Sequence, residues 1–547
     1  MPATFESFTE QEKQVLKPYF TNLDQSIFVL QNLPEVVKGA LFSRYSRSSK
    51  LLRRLLLEEF LNVKELGLTE LLNHQANTQD PLVAAKKAEE FYDRVLVGFG
   101  DDSVAELAGC HIACEQVSMI ATKALEDSRI GLCPLEKSTR YVYFDQKING
   151  HYQYLLEKDL MNSEFADLYT ETCDSLFDVY AKILEPMKKY FTDLYPKDAE
   201  TSDRAYTSAV KAKTCDTIRG LLPASTLTNL GLYGNGRAFE YLLQKMYANP
   251  LSEMQSLASE MHSELRKYIP SFVKRANDSL GQTTIDFWQQ SWAVQKKYAE
   301  KQFNQVPMES VPQVELIDFD SKAEEKVLTA LLYSKTGLSL KQIRKHIQKL
   351  SVSEKQQIFQ EYLNHRKNRR HKPGRGFETA QYTFDIHANF NAFRDLQRHR
   401  MLTQERQLLS CNLGHITPKE LFDAGFAEEY QSVMSQAKES FDVIAKKMPA
   451  QAQYIVPMGY HVRWYISLNA REMYHLCELR SVQQGHPDYR YVAQQMFLEA
   501  QKVHPLLMNA MKFVDMKQYS FERIEAEKYT DKRMDEIKQK HGIEWKE

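Results

Sequence analysis

Three landmarks occur twice in this sequence, in the same order and at matching spacing. The first set is Leu221-Leu222-Pro223, Asn235-Gly236-Arg237 and Pro270; the second is Ile455-Val456-Pro457, Asn469-Ala470-Arg471 and Pro505. Proline and asparagine are twelve positions apart in both sets, 223 to 235 and 457 to 469. The later proline follows the asparagine by 35 and 36. Upstream, Glu106 is expected to open a helix in the first half and Glu378 one in the second. Such a pattern means two copies of one domain in tandem. We read an N-terminal domain over residues 1–304, a linker over 305–313 with Pro307 and Pro312, and a C-terminal domain over 314–547. A length of 547 residues also asks for more than one core.

The overall balance excludes several classes. Net charge is −1, so there is no global pull toward nucleic acid or a membrane surface. No apolar run approaches membrane-spanning length, and Met1–Ser7 has neither a basic start nor an apolar stretch of the signal-peptide kind. The seven cysteines are scattered without a Cys-x-x-Cys; Cys110 and Cys114 have nothing nearby to complete a zinc set, so no metal is expected. We read them as reduced, in a cytoplasmic protein.

Residues 9–75 read as helices, with Leu51–Phe60 amphipathic after an Arg/Ser-rich stretch at 43–50. A helix is expected from Asp102 or Ser103 through about Glu126, then a strand-like segment at Tyr141–Phe144. Helices follow over Asp159–Tyr195 and Asp203–Arg219, and Val314–Phe319 alternates like a strand. The fold class is therefore α+β, each copy a small mixed sheet flanked by long helices.

Chemistry concentrates in Phe390–Arg406, a run without Gly or Pro that reads as helix. Phe390, Phe393 and Leu396 mark its apolar face, and Arg400 falls on the same side. A buried arginine is costly unless it meets an anion. With Arg398 and His399 beside it, the cluster suits a phosphate or a flavin ring edge. It equally suits a solvated basic face with one satisfied core arginine. Upstream, Arg366–Arg375 holds six Lys/Arg and no acid. That run suits nucleic acid, an anion-binding loop or a solvated loop.

Taken together, the residues resemble the flavin-dependent thymidylate synthases of the ThyX type. That family carries Arg-His-Arg, a Glu-x-Ser-x-Arg-Tyr element, and Asn-Ala-Arg with a further Arg nine residues on. The second half has Arg398-His399-Arg400, Asn469-Ala470-Arg471 and Arg480; the first has Glu136-Lys137-Ser138-Thr139-Arg140-Tyr141 and Asn235-Gly236-Arg237. The departures are complementary. Where Arg-His-Arg should stand in the first half there is Glu126-Asp127-Ser128, and where the late Arg should stand there is Met246. The second half lacks the Glu-x-Ser-x-Arg-Tyr element. Four residues before the repeat proline the first half has Arg219, as the family has a nucleotide-binding arginine there, and the second has Gln453.

The resemblance implies transfer of a methylene from methylenetetrahydrofolate to carbon 5 of dUMP, with a hydride from FAD and re-reduction by NADPH. It implies FAD held by Arg398, His399, Arg400, Asn469, Arg471, His475 and His486, with Ser103 and Glu106 of the first half; His475 departs from the family's usual Asn. It implies dUMP held by Glu136, Ser138, Arg140 and Arg219, with Arg480 facing the uracil and stabilising charge on it. The family's enzymes are homotetramers whose sites draw on several subunits, so a tandem pair could form a composite site as a homodimer. Partners are then small molecules, not membrane or nucleic acid. Two other readings stay open: an inactive flavin- or nucleotide-binding protein, and a helical nucleic-acid-binding protein using 366–375.

Overall fold

The computed structural model describes residues 7–46, 48–61 and 105–542. Its fold is α+β, in two tandem copies. The first copy contributes β1 (Gly109–Ser118), α1 (Met119–Asp127), β2 (Leu132–Glu136), α2 (Ala166–Leu194), α3 (Asp203–Ile218), β3 (Leu227–Asn235) and α4 (Gly236–Ala248). The second contributes β4 (Val314–Phe319), β5 (Gln381–Asn389), α5 (Phe390–Leu396), β6 (Leu402–Arg406), α6 (Ala427–Ala445), β7 (His461–Asn469), α7 (Ala470–Arg480) and α8 (Pro487–Val503). Strand order is β1-β3-β2 in one sheet and β4-β5-β7-β6 in the other.

The copies agree in register as well as in order. Leu132 pairs with Gly234 and Leu402 with Leu468, each opposite the residue before the repeat asparagine. That asparagine caps the next helix in both copies. Asn235 Oδ1 accepts from the Ala238 N–H and Asn469 Oδ1 from the Glu472 N–H, at 2.8 and 2.9 Å. The cap satisfies an N–H that the helix itself leaves unpaired. Gly234 stands where a Cβ would lie 2.1 Å from the end of the Leu132 side chain, so a larger residue there would have to displace that leucine.

Packing draws different lines from the repeat. One compact unit holds Met1–Val117, Ala121–Lys137 and Thr228–Val306; the other holds Ser118–Ile120, Ser138–Leu227 and Pro307–Glu547. The second unit therefore contains residues from both copies. Within it, the two landmark segments pair antiparallel. Pro223 bridges Pro457, the Ala224 N–H donates to Val456 O at 2.9 Å, and the Met458 N–H donates to Leu222 O at 2.9 Å. Equivalent segments paired antiparallel are related by a local two-fold. The long helices α2 and α6 pack nearby, with Thr172 and Ser440 hydroxyls 2.8 Å apart. The core of this unit is period-2 strand and period-3.6 helix. Tyr382, Phe384 and Ile386 of β5 are buried, as are Trp464 and Ile466 of β7 and Cys173, Leu176, Tyr180 and Met187 of α2.

Several sequence expectations are corrected. The helix expected through Glu126 is strand β1 followed by the short α1. Cys110 and Cys114 are four apart, a spacing a strand also places on one face, and Val117 joins them past an irregularity at Gln116, φ 57°. Glu378 sits in a 3-10 turn, Arg375–Thr379, before β5 rather than opening a helix. The helix over 390–406 stops at Leu396, because residues 402–406 pair with β7 and tertiary pairing overrides local propensity. Arg398 and Arg400 are exposed as a result, and Arg400 is not on a buried face. Tyr141–Phe144 is not a strand; its start is tied by side chains, Tyr141 Oη lying 3.3 Å from Glu527. The sheets are antiparallel at every register described, not mixed. In the second copy β7 inserts between β5 and β6 and runs against both. Val314–Phe319 is a strand as expected.

Candidate functional site

The landmark turn places the first functional side chain. Arg219 ends α3 and begins a 3-10 turn, Arg219–Leu221. The turn is tight, since a Cβ on Gly220 would lie 2.7 Å from Tyr430 Oη. Arg219 is thereby 3% exposed, and its Nε and Nη2 have no hydrogen-bond partner. Asp216, one helical turn earlier, is 3.7 Å from Arg219 Nε. The same carboxylate takes a fork from Arg140, Nε at 2.8 and 3.0 Å together with Nη2. Arg140 is presented by a small turn in which its N–H donates to Ser138 Oγ at 3.3 Å. Burial pushes the Asp216 carboxyl up, but Arg140, Arg219 and His486 hold it well below the usual range.

The second copy brings arginines to the same unit. Arg394 of α5 is buried, its Nη1 donating to Thr139 Oγ1 at 3.3 Å. Arg480 closes α7, with Nη1 3.9 Å from Asp395 and Nε donating to His399 Nε2 at 3.0 Å. Arg398 stands 3.9 Å from Asp395. Burial raises the Asp395 carboxyl and Arg398, Arg480, Arg219 and Arg140 outweigh it, so it is lowered. Arg140, Arg219 and Arg480 thus converge on Asp216 and Asp395, and Arg219 keeps buried nitrogens without an acceptor. A buried guanidinium with an open donor is stabilised by an anion, and guanidinium forks match phosphate and carboxylate oxygens.

The remaining expected residues divide sharply. His399 is 3% exposed, with Nδ1 2.6 Å from Glu472, and so points inward. Arg471 donates to Pro373 O at 2.7 Å and lies 3.4 Å from Glu378. Asn469 is the helix cap described above. His475 rests against the His399 ring, and burial lowers its pKa to about 4. His486 caps α8 through Nδ1, and its Nε2 is 3.3 Å from Asp216 O. Glu136 belongs to the other unit, where its side chain is fully buried against Lys123 at 3.0 Å and Thr122 at 3.4 Å. Glu106 is exposed and paired with Arg237 in that unit, and Ser103 lies outside the described residues. Arg366 of the basic run is buried against Glu478, which removes it from any external partner.

Sequence reasoning missed Asp216, Arg394, Asp395 and Glu472. Asp216 had a signal, being three positions before Arg219 on a helix. Glu472 is the third residue after the capping Asn469, an N-terminal helix signature. Arg394 had a weaker one, being four positions after Phe390 on the expected helix, and Asp395 had none. Asp216 and His486 also line a cavity of about 490 Å³ with Lys213, Asn391, Tyr430 and His461.

For a flavin, the fit is one of donor chemistry. Arg398 and Arg400 are exposed cations flanking an inward His399, and two outward guanidiniums can take phosphate or ring oxygens.

Against known proteins, residues 54–271 and 315–506 match the family described as thymidylate synthase complementing protein, one segment in each copy. The chain is 45% identical over 526 residues to a UPF0159 protein of Chlamydia pneumoniae, covering 95% of this chain and 98% of that one. It is 33% identical over 515 residues to a UPF0159 protein of Thermoplasma acidophilum, covering 90% and 97%. It is 29% identical over 145 residues to a flavin-dependent thymidylate synthase of Sulfurisphaera tokodaii, covering 24% and 54%.

Proposed function

Because the chain belongs to the thymidylate synthase complementing protein family, we propose that it is a flavin-dependent thymidylate synthase, methylating dUMP at carbon 5 in a site drawn from both copies. The observation that carries this reading is Arg219, whose buried Nε and Nη2 have no hydrogen-bond acceptor. An unsatisfied buried N–H is expensive, so such groups are explained by a ligand that supplies acceptors. Arg219, Arg140 and the Ser138 hydroxyl would grip the dUMP phosphate. Asp216 orients both guanidiniums and keeps their mutual repulsion in check. Arg480 would face the uracil carbonyl, where its charge stabilises the negative charge that develops as carbon 5 reacts. Glu136, engaged by Lys123, is left out of this set.

Arg398 and Arg400 would hold the flavin, with Asn469, His475 and His486 lining its place. Bound there, FAD supplies the hydride, with NADPH as reductant and methylenetetrahydrofolate as carbon donor. A homodimer in the cytoplasm is the proposed assembly. The protein's own contribution is position and charge, and no side-chain nucleophile is required of it.

A second reading is an inactive nucleotide- and flavin-binding protein. It is favoured by the internal partners of His399, Arg471 and Asn469, which leave fewer donors for FAD. Tritium release from 5-labelled dUMP, with folate and NADPH supplied, separates the two. Release in wild type and none in Arg480→Ala supports the synthase; dUMP binding without release in wild type supports the binder. Loss of the flavin spectrum in Arg398→Ala/Arg400→Ala is expected, and full flavin occupancy there would remove those residues from the cofactor site.

A further inference from the structure

Arg480 is anchored by a neutral imidazole rather than by a carboxylate. Its Nε–H lies 3.0 Å from His399 Nε2. Arginine has only donors, so Nε2 must carry the lone pair and the ring proton must sit on Nδ1. Nδ1 in turn is 2.6 Å from Glu472 Oε1, which accepts. Glu472 is in the first turn of α7 and Arg480 is its last residue, so the chain Glu472–His399–Arg480 runs along the helix through a residue from another segment. All three are shielded: His399 and Glu472 are 3% and 5% exposed, and the His475 ring lies 5.2 Å from that of His399.

We infer that Glu472 and His399 are positioning residues for Arg480. Glu472 fixes the tautomer and the ring plane, as a carboxylate does for a metal-bound or catalytic histidine. His399 then fixes Nε, and with it the plane and direction of the guanidinium. Among the described residues the terminal nitrogens meet only a distant carboxylate, Asp395 at 3.9 Å from Nη1, and so are left for a ligand. A carboxylate in place of His399 would hold the same geometry but cancel the charge. A neutral acceptor holds the geometry and leaves the charge available. On this inference His399 does not touch a flavin, since both ring nitrogens are occupied. What Arg480 faces rests on the nucleotide reading above; how Arg480 is held does not.

The test has two arms. Nitrogen-15 NMR of histidine-labelled protein, with the His399 signal assigned from His399→Gln, should show a neutral ring protonated at Nδ1 at neutral pH. An Nε2–H tautomer or an imidazolium would overturn the inference. So would stoichiometric zinc in the purified protein, because His399, Glu472 and His475 are close enough together to ligate an ion. In the second arm, Glu472→Ala and His399→Ala should lower turnover by roughly 10–100-fold, as misplaced catalytic groups do. KM for dUMP should move less than about threefold, since only transition-state stabilisation is lost. Glu472→Gln, which keeps an acceptor, should recover most of the loss. In an Arg480→Lys background the same changes should add nothing, and additive losses would overturn the relay. If wild type shows no turnover, the synthase reading fails while the tautomer arm still decides this one.

Discussion

Arg219 and Gln453 occupy equivalent places, four residues before Pro223 and Pro457, on segments that pair with each other. Their surroundings differ in one respect. Gln453 Oε1 accepts from the Leu409 N–H at 3.1 Å, and its Nε2 donates to Ala450 O at 3.0 Å. Arg219 has two buried nitrogens, Nε and Nη2, with no acceptor. One position completes its own fold, and the other does not. A duplicated domain can thus keep one copy of a position for binding and turn its counterpart into structure.

The largest effect should come from removing the group that holds the arginines. Asp216→Asn is expected to destabilise the protein by about 3–5 kcal/mol, the usual cost of leaving one partner of a buried pair uncompensated. Urea unfolding measures it, and an unchanged midpoint would show that the arginine cluster is stable without its counter-charge. Next, Arg219→Gln copies the second repeat into the first. Nucleotide affinity by calorimetry should fall by about 1.5–3 kcal/mol, while apo stability stays level or rises, because a buried unsatisfied cation has been removed. A fall in stability with affinity intact would make Arg219 structural and erase the contrast. The converse change, Gln453→Ala, should leave the Leu409 N–H unsatisfied and lower stability by about 1–3 kcal/mol, with nucleotide affinity unmoved.

The smallest effect is a pH dependence. Asp216 and Asp395 are both held below their ordinary pKa despite burial, by the arginines facing them. Their stabilisation is complete above the unfolded value, about 3.9, and is lost as pH falls through the folded values. Their share of the stability should be flat above about pH 5 and fall below about pH 4, beneath the separate loss that half-buried His475 contributes from about pH 6.5 downward. Asp395→Asn should flatten that acid limb relative to wild type, and a limb of unchanged steepness would remove Asp395 from the coupled cluster.

The sequence determined the duplication, because equal spacing of Pro and Asn reflects two concrete jobs. Pro223 and Pro457 sit in the paired turn, and Asn235 and Asn469 cap helices with φ of −86° and −85°. It also showed Arg140, Arg219 and Arg480 as candidates for one site, because the complementary losses were visible residue by residue. Three things were decided only in three dimensions. Strand pairing with β7 ended the helix after Leu396, so Arg400 faces out. Packing joined 138–227 to the second copy, which local periodicity does not encode. Asp216 and Glu472 took their roles from arginine and histidine partners far away in sequence. Local pattern fixes what a residue can form with its near neighbours, whereas charge pairing and strand register depend on which distant segments arrive beside it.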